Sequence, residues 1–135
     1  MKEQLLSTLE NSKKYTMSVA EAMPENEYEF KPVETVWSFR ELMDHVAYGI
    51  EWWSANYIKG IETPWSPGEA KADKKQVKKY LENAYAALKD IMAKSKFTDK
   101  EVNGFYATLD HITHHRGQAV TYLRCKGINP PEYMY

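Results

Sequence analysis

Residues 111–118 read HITHHRGQ, and three of the chain's four histidines lie in that stretch. His111 and His115 stand four residues apart, the spacing that puts two imidazoles on one helix face where they can grip one metal ion. At about 100° per residue, with His111 at zero, His115 falls near 40° and His114 near −60°. Ile112, Ala119 and Leu123 cluster near 80° to 120°, so His111 and His115 share the edge of the buried face and His114 leans towards solvent. The fourth histidine, His45, stands in the same relation to its own helix. With His45 at zero, Leu42, Val46, Trp53, Phe39 and Tyr57 fall between about 60° and 120°. Three neutral imidazoles from two helices can therefore meet in the groove beside the core. Such a set gives a divalent cation three nitrogens and leaves a position open for water or substrate, as catalytic rather than structural sites do. The same positions also suit ordinary core-edge histidines, and spacing alone leaves both readings open.

Other residues near the histidines carry weaker signals. Arg116 points near 140°, into the apolar arc. A buried guanidinium needs a carboxylate or several carbonyls, so an interhelix salt bridge or loop clamp is expected. Glu41 lies one turn before His45, as a general base or as a helix cap. Trp52, Trp53 and Tyr57 are candidates for the wall of a substrate pocket. Gly49 and Gly117 lie inside helical stretches, where each costs about 1 kcal/mol relative to alanine. That cost suggests close helix contact or room for a ligand. Cys125 reads equally as a packed inert thiol or a reactive one.

The elements that carry these residues are helical. Helix one is expected from Lys2 to Met23, stopped by Pro24, and an extended connection follows. Ser38 with Glu41 forms a capping box for helix two, which runs to about Lys59. Residues 60–72, with two prolines and two glycines, form a long loop. Asp73 with Gln76 opens helix three, about 73–95. Its basic run, KADKKQVKK, reads as a solvated face rather than a nucleic-acid patch. Thr98 with Glu101 is expected to cap a short turn, with helix four spanning about Gly104 to Lys126. Gly127 sits at a left-handed C-cap and Ile128 can pack back. No strand-like alternation survives, and a four-helix bundle follows.

Composition bounds the rest. The 135 residues suit one domain with a real core. A net charge of −1 gives no reason to invoke nucleic acid or an anionic membrane. No apolar run approaches the ~20 residues of a spanning helix, and the start of the chain shows no signal-peptide pattern. One cysteine makes no internal disulfide, so a cytoplasmic setting is expected. The aromatic share, 13%, is enough to fill a small core or wall a pocket.

The stretch HITHHRGQAVTYLRCKGINPPEY closely resembles the C-terminal signature of the DinB/YfiT-like superfamily, and WSFRELMDHVAYGIEWW is similar to that family's second helix. The similarity spans essentially the whole chain. It implies an all-α four-helix bundle in up-down-down-up order, with the 60–72 loop as the crossover. It implies a divalent metal, zinc or nickel, held by His45, His111 and His115, with His114, Arg116 and Gln118 as supports. It further implies a metal-dependent transferase working with a low-molecular-weight thiol on a small-molecule substrate, and a homodimer. A metal-dependent hydrolase and a non-enzymatic metal-binding module of the same fold are the alternatives.

Overall fold

The computed structural model describes residues 1–135. Four helices carry the chain: α1 (Lys2–Ala22), α2 (Phe39–Tyr57), α3 (Lys74–Lys94) and α4 (Asp99–Cys125), with no strand. Each start that matters to the site has its own chemistry. The Ser38 hydroxyl accepts from the Glu41 amide while the Glu41 carboxylate accepts from the Ser38 amide, a reciprocal box that fixes the first turn of α2. Glu41 is therefore spent on the cap rather than offered as a base. Asp73 caps α3 through the Gln76 amide.

Two stretches depart from expectation. Thr98 and Glu101 form a full capping box, but they cap α4 itself and not a separate short turn. Gly104 does not start the helix; it lies one turn inside it, where α4 crosses the end of α2, and a Cβ there would overlap the Tyr57 carbonyl. The connection after Pro24 is not simply extended either. It makes a 3-10 turn at Glu25–Glu27, and Phe30 and Tyr28 then accept from the amides of Phe39 and Arg40. Tyr28 is buried against Phe39, which ties this connection to the start of α2. At the far end Gly127 adopts φ +74°. The amides of Gly127 and Ile128 bond to the carbonyls of Arg124 and Leu123, closing α4 with the Schellman pattern.

The helix directions follow from contacts between their ends. Lys2 reaches the Ala93 carbonyl and Lys74 the Glu21 carbonyl, so α1 and α3 are antiparallel. Tyr122 reaches the Trp37 carbonyl, and Gly104 lies against Tyr57, so α2 and α4 are antiparallel. Asp44 accepts from the Lys71 amide just before α3, and Ile58 shares a cavity with Ile91 and Lys94 near its end, so α2 and α3 run parallel. The order is up-down-down-up. A parallel neighbour needs a return connection along the whole bundle, since 19 residues of helix rise about 28 Å. Residues 58–73 supply it. The core is filled by Phe39, Leu42 and Ile50 of α2, Leu81, Tyr85 and Leu88 of α3, and Phe105, Ile112 and Leu123 of α4, all essentially inaccessible to water. No helix is long and apolar enough to cross a membrane.

Candidate metal centre

α2 packs chiefly against α4, and the three half-buried histidines meet across that contact. His45 Nε2 lies 3.1 Å from His111 Nε2 and 3.0 Å from His115 Nε2. No fourth His, Cys, Asp or Glu joins the cluster. The arrangement fits a cation. Tetrahedral ligands at 2.0–2.1 Å from zinc stand about 3.3 Å apart, close to the spacings seen. Hydrogen bonding alone does not account for the convergence, because an N–H on His45 Nε2 could be donated to only one of the two nitrogens that face it.

Local features hold the rings in place. Gly49 removes the side chain that would otherwise occupy the space of the His111 ring. The expectation of tight space is met there, whereas Gly117 faces nothing within 4 Å and has no such role. Gln118 Oε1 sits 2.9 Å from His115 Nδ1. A proton on Nδ1 donated to that oxygen leaves Nε2 as the lone-pair nitrogen, as in ligating histidines generally. His111 Nδ1 is buried with no partner, as is Trp53 Nε1.

The electrostatics suit a ligand set. Burial, then the charge on His115, pushes His45 down to about 4. Burial, then the neighbouring histidines, pushes His111 to about 4. Burial also lowers His115, against the hydrogen bond that its Nδ1 donates to Gln118. All three imidazoles are therefore neutral at neutral pH, the form that donates to a metal. His114 is exposed and its Nδ1 and Nε2 lie outside the cluster.

The aromatic surroundings differ from those read in the sequence. Trp53 lies 6.0 Å from His111, between ring centroids, and stacks on Tyr57. Trp52 donates to the Thr63 carbonyl and packs edge-on against Trp65. Trp52 and Tyr57 thus stand behind other rings. The rings that flank the histidines most directly are Trp37, 4.5 Å from His45, and Trp65, 5.4 Å from His45 and 6.2 Å from His111. Both lie in connections without periodicity, which is why pattern reading passed over them. Trp37 is held by Tyr122, whose hydroxyl donates to its carbonyl. Trp65 is held from both sides, by Asn56 bonded to Thr63 and by Tyr48 accepting from the Ser66 amide. Beside His115 and Trp37 opens a cavity of about 390 Å³, walled by Val36, Leu42 and Tyr122. A larger cavity, about 570 Å³, lies at the other end of α2 among Lys59, Asp90 and Glu101. It holds none of the histidines, so the chemistry favours the smaller one.

Two remaining expectations meet the structure here. Arg116 is buried, but no carboxylate pairs with it: the chain's four ion pairs involve other residues. Cys125 is exposed on the last turn of α4 rather than packed.

A sequence model of the DinB superfamily matches residues 8–119. No curated protein matches the chain. Among solved structures, a DinB-like protein from Bacillus cereus ATCC 10987 is similar with a TM-score of 0.82 at 14% identity, over 97% of this chain and 96% of that one. A DinB-like protein from Bacillus subtilis is similar with a TM-score of 0.76 at 22% identity, over 97% and 98%. At these identities the likeness speaks to the fold.

Proposed function

The chain belongs to the DinB superfamily, and from that premise we propose a divalent-metal-dependent enzyme that uses a low-molecular-weight thiol to transfer or exchange a group on a small-molecule substrate. The observation that carries it is the convergence of three Nε2 atoms with no fourth protein donor. His45, His111 and His115 would hold the ion, zinc or nickel. Neutral ligands leave the full charge of the ion in place, and a bound ion of that kind lowers the pKa of a coordinated thiol or water so that the anion exists at neutral pH.

The residues of the chain do the rest. Gln118 keeps the His115 ring turned with Nε2 inward. Trp37 and Trp65 flank the open side and limit the water that reaches it. The apolar cavity beside His115 receives the body of the substrate. Trp53 lies beside His111, with Tyr57 stacked on it and Trp52 packed against Trp65. The exposed Cys125 sits on the last turn of α4, outside the histidine cluster, so a protein thiol is not the nucleophile in this reading.

Metal analysis of the purified protein, followed by a panel of low-molecular-weight thiols with an electrophilic acceptor, tests the proposal. Activity should require both metal and thiol. In the same assay Cys125→Ser should remain active and His45→Ala should not. Loss in Cys125→Ser at unchanged metal content would move the nucleophile onto the protein and overturn the mechanism.

The assembly we propose is a homodimer, supported by exposed apolar side chains such as Ile61 and Tyr106. Sedimentation at micromolar concentration decides it, and a single species near 15.7 kDa would count against it.

A further inference from the structure

The carboxamide of Gln118 is used at one end only. Its Oε1 accepts from His115 Nδ1 at 2.9 Å, whereas its Nε2 makes no hydrogen bond to the protein. The two ends are not interchangeable. An imidazole whose Nε2 is the lone-pair nitrogen carries its proton on Nδ1, so the amide oxygen must face the ring and the NH2 group must face away from it. The histidine thereby sets which end of the amide stays free. Gln118 is exposed, and it lines the cavity of about 390 Å³ beside His115. Its N–H donors are therefore open to a ligand there rather than sealed off as buried orphans.

The rest of that cavity is mainly apolar and aromatic. Trp37 lines it with a side chain still 45% exposed, its ring 6.0 Å from His115 between centroids. Val36 and Leu42 add aliphatic surface. Tyr122 offers its ring, because its hydroxyl is already donated to the Trp37 carbonyl. No Asp, Glu, Lys or Arg lines the cavity. Burial and then the charge of Glu41 raise the Tyr122 hydroxyl, but the Glu41 carboxylate accepts from the Ser38 amide and is not on the wall. The volume lies within the roughly 300–1,000 Å³ of small-molecule sites, which pair apolar walls with a few placed polar groups.

We propose, resting on the reading of this cavity as the place of the substrate, that the substrate is an uncharged aromatic carbonyl compound. Its ring lies against Trp37 and Tyr122, and its carbonyl oxygen accepts from Gln118 Nε2. Each part of the wall selects one feature. Flat aromatic faces favour a flat aromatic body. The unused N–H donors favour an acceptor. A wall without a charged side chain disfavours an ionised group, which would give up water and gain no partner. Gln118 is then a specificity-determining residue through its nitrogen as well as a positioning residue for His115 through its oxygen.

The test is an NMR titration of the full chain with acetophenone, in excess chelator so that no metal takes the ketone oxygen. Acetophenone should shift the Trp37 indole N–H and the Gln118 side-chain NH2 signals, with a Kd on the order of 1 mM. Benzenesulfonate and phenyltrimethylammonium carry the same ring with a charge, and each should bind at least about tenfold more weakly. Gln118→Glu keeps an oxygen for His115 Nδ1 and removes the donor, so it should weaken acetophenone by up to about tenfold. Trp37→Leu should weaken it by about tenfold through the lost ring contact. Unmoved signals in the unsubstituted chain, equal affinity for either charged ring, or full affinity in Gln118→Glu would overturn the proposal. Zinc titration of the same preparation tests the metal reading on its own. Zinc binding without acetophenone binding overturns the substrate class and leaves the metal centre standing. Acetophenone binding without zinc binding supports the substrate class and removes the metal.

Discussion

Gly49 and His111 share one space. A Cβ on Gly49 would lie within the van der Waals envelope of Cε1 and Nδ1 of the His111 ring, so the hydrogen side chain on α2 is what lets the imidazole from α4 reach His45. The ring is the far end of a side chain and can swing away, whereas the helix backbone is not touched. Gly49→Ala should therefore fold with unchanged helicity and lose metal affinity on the order of 10–100-fold, the scale of a disturbed ligand orientation. Isothermal titration with zinc beside far-ultraviolet circular dichroism checks this. Affinity equal to the unsubstituted chain would show that the ring does not need that space.

Gly104 and Gly117 predict opposite outcomes from the same substitution. A Cβ on Gly104 meets backbone, the Tyr57 carbonyl, which cannot rotate away. Gly104→Ala should destabilise by about 1–3 kcal/mol through overpacking. Gly117 has nothing within 4 Å, so Gly117→Ala should stabilise α4 by about 0.5–1 kcal/mol through the lost freedom of the unfolded chain. Urea unfolding of the two variants side by side would reveal the difference in sign, and equal effects would refute the packing argument.

The fold was largely legible because its signals are local. Ser38 with Glu41 and Asp73 with Gln76 each announce a helix start within four residues, and Gly127 announces an end. The meeting of His45 with His111 and His115 was legible because helical angle is arithmetic. Gly104 misled because a glycine inside a helix looks like a boundary until the neighbouring carbonyl is known. Trp37 and Trp65 carry no periodic signal, and what places them is a set of long-range hydrogen bonds, through Tyr122, Tyr48 and Asn56. Arg116 was legible as buried, since its angle falls in the apolar arc. Its lack of an acid partner was not, because partners belong to other helices.

His114 and His115 are adjacent, yet only one belongs to the cluster. His115→Ala removes one of three converging nitrogens and should abolish tight metal binding, whereas His114→Ala should leave most of it. Gln118→Leu should fall between them, because it frees the His115 ring without removing it. Competition with a chromogenic chelator ranks the three. Equal losses for His114→Ala and His115→Ala would show that the helical face has been assigned wrongly.

The metal-free protein should lose stability on mild acidification through its histidines. In the unfolded chain each imidazole takes up a proton near pH 6.5, whereas burial and neighbouring histidines hold His45 and His111 neutral in the folded chain down to about 4. Between those values the unfolded state binds more protons, so folding stability falls as pH falls. The contribution is fully present above about pH 7 and is lost progressively from about pH 6.5 towards pH 4. Asp44 and Glu51, whose carboxyls are raised by burial, act in the opposite direction and gain stability on protonation. The comparison must therefore be differential. In excess chelator, His45→Gln should match or trail the parent in Tm at pH 7.5 and gain on it steadily down to pH 4.5, because the substitution deletes one acid-sensitive group. Parallel Tm curves for the two proteins across that window would mean that His45 titrates alike in the folded and unfolded states, and the burial assigned to the cluster would be wrong.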